Sequence, residues 1–231
     1  FYPSPCSTGR ATDSTARMIG TNPVCSSRSV RGPAGAEKSA FAGRRRIDRQ
    51  RHQRFLLLKT LGLVGFGRIA QAMAERARFG FGMDVAYYSR RPKPEDAKRF
   101  DARYFASLTQ LAQQCDFLSL HIPGGAETRN MINAAVLEQM PSHAVLINTA
   151  RGDVVDEVAL ADALESGGIA GAALDVFVGE PHVSQRLLVA PNTVLLPHLG
   201  SATRETREAM GMRALANLDD WHAGRVPRDS L

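Results

Sequence analysis

Residues 55–222 predict an α/β fold built on a doubly wound, mostly parallel sheet, and three observations carry the prediction. Short apolar runs alternate with amphipathic stretches of helical length, the order that covers a parallel sheet on both faces. The first apolar run ends in a glycine-rich turn that opens a helical stretch, Gly65-Phe66-Gly67-Arg68-Ile69-Ala70. Three later polar or glycine-containing clusters each lie just past a predicted strand, where open α/β sheets collect their ligands.

The elements follow in order. Residues 61–65 form a short apolar strand ending in glycine, and residues 68–79 carry apolar residues at helical spacing until Gly80 and Gly82 close the helix. Residues 83–88 are a strand. A helix over 108–114 leads into a strand over 117–121, a helix over 134–140 into a buried strand over 143–148, and a helix over 156–165 into a strand over 169–177. Residues 193–196 are the last strand and 203–222 the last helix, which leaves 223–231 as a C-terminal remnant.

Residues 1–54 are of another kind. They are rich in Ser, Arg, Gly, Thr, Ala and Pro, poor in large aliphatics, and follow neither period. Such a segment buries too little apolar surface to offset its ordering entropy, so it is expected to be irregular or disordered. It also holds the basicity. The net charge of the chain is +6, yet residues 1–58 hold 11 Arg and Lys against 3 Asp and Glu, and residues 59–231 hold 18 against 20. A nucleic-acid partner would therefore rest on the first quarter alone, and none is expected of the folded part. No apolar run approaches the ~20 residues that span a bilayer, so no membrane partner is expected. Cys6, Cys25 and Cys115 are too few and too scattered for a disulfide framework or a metal site, and read as free thiols of a cytoplasmic protein.

The glycine turn has the context of a Rossmann-type dinucleotide site. Gly65 permits the tight turn, Gly67 lets the backbone approach a pyrophosphate, and Ala70 lets the helix pack close to the strand. The free N–H groups of Phe66, Gly67, Arg68 and Ile69 then face the phosphates. The end of the next strand separates the two nicotinamide cofactors. An NAD site places a carboxylate there for the ribose hydroxyl. This chain has Tyr88-Ser89-Arg90-Arg91, about 24 positions after Gly65. Ser89, Arg90 and Arg91 suit a 2′-phosphate, which arginine grips with paired hydrogen bonds, so NADP(H) is expected with NAD(H) as the weaker alternative.

The later clusters are Asn148-Thr149-Ala150-Arg151-Gly152, Gly179-Glu180-Pro181 and Pro197-His198-Leu199-Gly200-Ser201. With the fingerprint, His121-Ile122-Pro123 and Ala173-Leu174-Asp175-Val176-Phe177, they make residues 59–226 resemble the D-2-hydroxyacid dehydrogenases, most nearly the glyoxylate/hydroxypyruvate reductase branch. The resemblance implies reduction of a small 2-oxoacid to its D-2-hydroxyacid. Arg151 would bind the substrate, His198 donate the proton and Glu180 partner His198. By the same resemblance His121, Ile122, Pro123, Thr128, Thr149, Ala150, Arg151, Asp175, His198, Leu199 and Gly200 join the cofactor site, and no metal is involved.

Members of that family carry a long region ahead of the fingerprint that forms most of a second domain, together with a helix that contributes to a homodimer. Residues 1–58 match neither, so substrate binding, turnover and dimerisation are expected to be impaired in the chain as it stands. Two further readings therefore stand beside the reductase. One is a catalytically inactive NAD(P)H-binding or regulatory module, and the other is a nucleic-acid binder acting through the basic segment.

Overall fold

The computed structural model describes residues 56–230. The expectation that residues 1–54 lack a core of their own lies outside the described residues, as do Cys6 and Cys25. Seven parallel strands form one sheet: β1 (Thr60–Val64), β2 (Asp84–Tyr88), β3 (Arg103–Phe105), β4 (Phe117–Leu120), β5 (Val145–Asn148), β6 (Gly171–Leu174) and β7 (Thr193–Leu195). Their order across the sheet is β3-β2-β1-β4-β5-β6-β7. The chain builds outward from β1 to β3 and then returns to lay β4 on the other side of β1. The connections on either side of β1 leave in opposite directions, and a crevice opens between the ends of β1 and β4.

The period-two pattern of β1 and β2 divides the core. Leu61, Leu63, Val85 and Tyr87 face one side, where they pack with Phe66, Ala70, Ala74, Ala77 and Phe100. Val64 and Ala86 face the other, with Leu111, Cys115, Leu118, Leu120, Leu137, Leu146 and Leu160. Helix α1 (Arg68–Glu75) lies over the first face on two fully buried alanines, Ala70 and Ala74, whose small side chains let it settle close to the strands. Burial pushes the Cys115 thiol up to about 12, so it stays protonated and inert.

The structure corrects several boundaries. The helix expected over 68–79 becomes a π-turn at Arg76–Gly80, and the Ala77 carbonyl accepts the Met83 N–H just ahead of β2. The strand expected over 169–177 pairs only over Gly171–Leu174. The last pairing to β7 is Leu174 with Leu195, and beyond it residues 175–177 leave the ladder. The strand expected from 143 begins at Val145, and the helix expected to 140 ends at Leu137 as α4 (Ala134–Leu137). Asp156 and Thr203 are N-caps rather than helical residues. Their side chains accept backbone N–H groups at the starts of α5 (Glu157–Glu165) and α7 (Arg204–His222). Helix α3 (Leu108–Gln113) lies where expected. Three short elements had no expectation: α2 (Pro94–Lys98), β3 and α6 (Gln185–Val189).

Residues 223–230 fold back along α7. Asp220 accepts from Arg225 at 2.8 Å and from Arg228 at 2.9 Å, and Asp229 accepts from Arg213 at 2.6 Å. Hydrogen bonds from the Arg228 and Arg225 guanidinium groups hold the Asp220 carboxyl down at about 2. A carboxyl depressed in the folded state contributes stability above its ordinary pKa and loses it as pH falls through the depressed value. The strap is therefore expected to hold at pH 4 and above and to release as pH approaches 2. Amide exchange of residues 223–230 would show this as protection lost in that window, and unchanged protection at pH 2 would contradict it.

Candidate functional site

The glycine turn leaves β1 where the strand order reverses. Gly65 has φ of +90°, a conformation that L side chains rarely adopt, and a Cβ there would lie 2.6 Å from the His121 carbonyl oxygen. Its N–H donates to the Tyr88 carbonyl at 2.8 Å and the His121 N–H to the Val64 carbonyl at 2.8 Å, which binds the ends of β1, β2 and β4 together. Gly67 caps α1 with no side-chain cap, and the space a Cβ would enter there is open. Uncapped N–H groups, a helix start and an unfilled approach make a cradle that fits a pyrophosphate.

A cavity of about 830 Å³ surrounds this cradle, lined among others by Gly65, Gly67, Ser89, Arg90, Arg91 and Ile122. His121, Pro123 and Thr128 also line it. Phe66 faces the cavity while its ring stacks on Tyr87 at 4.1 Å within the core, so its contribution to a ligand is its backbone. Burial pushes His121 down to about 4, which leaves a neutral ring whose Nε2 is 2.9 Å from Ser119 Oγ. Arg68 and Ile69 belong to the first turn of the helix and are exposed, and neither lines the cavity.

The opposite half of the sheet carries the second set. The Glu180 carboxylate bridges two groups: Oε1 accepts the Phe177 N–H at 2.9 Å, and Oε2 lies 2.8 Å from His198 Nδ1. The hydrogen bond with His198 holds the Glu180 carboxyl below the usual carboxylate range, with Phe177 helping and Arg151 adding a favourable charge. The pair thus stays engaged from neutral pH down through the ordinary carboxylate range, and is lost only as pH falls through the lowered value. With Nδ1 committed to Glu180, Nε2 is the ring nitrogen left to exchange a proton.

His198 has φ of +54°, in the left-handed region, and buried Asp175 supports the loop that follows it. Asp175 Oδ1 accepts the Leu199 N–H at 2.7 Å and Oδ2 the Gly200 N–H at 2.8 Å. Each oxygen keeps a second lone pair for a donor such as a carboxamide. Thr149 and Ala150 precede Arg151 in a turn closed by Asn148, whose side chain accepts the Ala150 N–H at 3.0 Å and donates to the Arg151 carbonyl at 2.9 Å.

Arg151, Glu180 and His198 line one shallow depression of about 750 Å³ together with Pro123, Gly124 and Gly125. Those last three also line the large cavity, so the groove and the depression adjoin. Sequence reasoning missed Lys93 and Glu127, which line the large cavity, and Glu157, whose Oε1 accepts the Val178 N–H at 2.7 Å beside the Glu180 loop. Lys93 had a signal in its proximity to Arg90 and Arg91. A single carboxylate in a polar loop has none.

Among the described residues, no helix is long and apolar enough to cross a membrane, and no group of three or more His, Cys, Asp or Glu could hold a metal ion.

Residues 28–200 match the family model described as D-isomer specific 2-hydroxyacid dehydrogenase, NAD binding domain. The glyoxylate reductase of Thermococcus litoralis is 50% identical over 169 residues, covering 73% of this chain and 50% of that protein. The glyoxylate/hydroxypyruvate reductase B of Citrobacter koseri is 50% identical over 174 residues, 75% of this chain and 53% of that protein. The chain thus spans about half the length of the curated relatives it matches. Among solved structures, the NADPH-dependent glyoxylate/hydroxypyruvate reductase of Sinorhizobium meliloti, in complex with NADP and malonate, aligns with a TM-score of 0.67 at 43% identity, over 71% of this chain and 50% of that one. The apo D-mandelate dehydrogenase of Rhodotorula graminis aligns with a TM-score of 0.68 at 34% identity, over 71% and 48%.

Proposed function

The chain belongs to the D-isomer specific 2-hydroxyacid dehydrogenase family, and from that premise we propose that it acts in the NADPH-dependent reduction of a small 2-oxoacid to its 2-hydroxyacid, either glyoxylate to glycolate or hydroxypyruvate to the D-hydroxyacid. The observation that carries this reading is the hydrogen-bonded Glu180–His198 pair beside Arg151, in a depression that adjoins the dinucleotide groove at Pro123, Gly124 and Gly125. Curated relatives at 50% identity bear the reductase names, and a solved neighbour is described as NADPH-dependent.

Each residue has a task set by charge. The main-chain N–H groups at Gly67–Ile69 hold the pyrophosphate, and Ser89, Arg90 and Arg91 hold the adenosine 2′-phosphate. The reduced nicotinamide, when bound, supplies the hydride. Arg151 binds the carboxylate and stabilises the negative charge that develops on the keto oxygen. His198 holds a proton at Nε2 and delivers it to that oxygen, while Glu180 at Nδ1 fixes the ring and stabilises its charged form. Asp175 keeps the 198–200 loop in register and offers its remaining lone pairs to the carboxamide.

The test is direct. The chain should bind NADPH more tightly than NADH, and consumption of NADPH should depend on added glyoxylate or hydroxypyruvate. Arg90→Ala should weaken NADPH about tenfold, the loss of one charge-assisted contact, and change NADH by less than about twofold. Equal losses for the two cofactors, or a wild-type preference for NADH, would remove the 2′-phosphate from the reading.

A further inference from the structure

The groove contains a carboxylate that the reductase reading does not use. Glu127 Oε2 lies 2.9 Å from Arg90 Nη1, across the cavity mouth between the loop after β4 and the turn after β2. Both side chains are 83% exposed, so the pair is open to exchange with a ligand. The loop that presents Glu127 is itself anchored. Thr128 Oγ1 donates to the Pro123 carbonyl at 2.7 Å, the Thr128 N–H donates to the Gly125 carbonyl at 3.1 Å, and the Gly125 N–H donates to Asp153 Oδ2 at 3.1 Å. Glu127 is therefore held at the lip of the groove by a turn of defined shape. Arg91 and Lys93 line the same cavity, and neither makes an ion pair with another described residue.

We propose that Glu127 is a specificity-determining residue that competes with the cofactor's 2′-phosphate for Arg90 and so tempers the preference for NADPH over NADH. The inference rests on the reading above, in which Arg90 recognises that phosphate. A cofactor ending in a ribose hydroxyl leaves the Arg90–Glu127 pair intact across the mouth. A cofactor with a 2′-phosphate takes Arg90 into a paired contact, strips Glu127 of its partner, and sets a carboxylate beside a group of charge close to −2. The exchange costs the phosphate-bearing cofactor alone. An exposed pair is worth little in absolute terms, so the effect is a tuning of choice rather than a switch.

The test uses the whole chain and the two adenosine fragments, 2′,5′-ADP and 5′-ADP, measured by calorimetry. Glu127→Gln should tighten 2′,5′-ADP by about three- to fivefold and leave 5′-ADP within about twofold, the range that exposed ion pairs supply. In an Arg90→Ala background the same substitution should lose most of that gain. A Glu127→Gln variant that tightens both fragments equally, or neither, overturns the inference while the reading of Arg90 stands. If Arg90→Ala weakens both fragments alike, the reading of Arg90 fails and the inference goes with it. Glu127 is exposed and its loop is held through other atoms, so the variants are expected to fold, and unchanged circular dichroism checks this.

Discussion

Replacing His198 with alanine is expected to lower 2-oxoacid reduction by about 10²- to 10⁴-fold while leaving NADPH binding almost unchanged. The range is what a positioned general acid contributes. Hydride arriving at the carbonyl carbon leaves a charge on oxygen that a nearby proton must neutralise. Among the described residues lining the depression, His198 is the one histidine. Its carboxylate partner engages Nδ1 and leaves Nε2 as the ring nitrogen open to proton exchange. The measurement is steady-state consumption of NADPH with glyoxylate or hydroxypyruvate, run beside direct NADPH titration. A variant that keeps more than about a tenth of the rate would end the assignment of His198 as acid, because general-acid losses start near a hundredfold.

The second large effect is expected at Gly152, which follows Arg151 and lines the same depression. A Cβ there would overlap the carbonyl carbon and oxygen of Phe177 and lie 2.5 Å from the Val178 nitrogen. All three are backbone atoms, so no rotamer change can relieve the clash. The Phe177–Val178 peptide is also held from its other sides, by Glu180 on the Phe177 N–H and by Glu157 on the Val178 N–H. Burial raises the Glu157 carboxyl, against the pull of the Val178 N–H. Gly152→Ala should therefore cost about 3 kcal/mol, at the upper end of overpacking. It should also shift the Arg151 turn relative to the Glu180–His198 pair, where a displacement of ~1 Å costs ~100-fold in rate. Urea unfolding checks the first part, through a lower midpoint at constant slope. A loss under about 1 kcal/mol would mean that the two loops are not in rigid contact.

What could be read from the sequence depended on how local its cause is. The alternation in Leu61–Leu63 and Val85–Tyr87 and the fingerprint from Gly65 to Ala70 are properties of adjacent residues, and they led to the right strands and the right helix start. The helix Pro94–Lys98 and strand β3 escaped because five and three residues are too short to show a period. The early end of β6 escaped because it depends on where β7 stops, about twenty positions later. In the site, Arg151, Glu180 and His198 stood out through their motifs. The need for glycine at 152 comes from Phe177, 25 positions on, and Asp175 reaches Leu199 and Gly200 across a similar span. Such pairings leave no trace in a local window. Glu127 had no pattern to belong to, and only its position across from Arg90 marks it.

The strand order has a consequence for redesign. The turn at Ser89–Lys93 sits beyond β2, on one side of the β1–β4 crevice, while Arg151, Glu180 and His198 follow β5, β6 and β7 on the other. Arg90 and Arg91 share no hydrogen-bond partner with Arg151, Glu180 or His198 among the described residues. Substitutions without shared partners combine additively to within about 0.5 kcal/mol. An acidic residue placed at position 90 to invite NADH should thus change cofactor choice by the same factor whether or not Arg151 or Glu180 has been altered. The two properties can be optimised in separate libraries and then joined. The loop that carries Glu127 is the exception, because Gly125 donates to Asp153 next to the Arg151 turn. Changes there belong in the same library as changes to the loops that carry Arg151, Glu180 and His198.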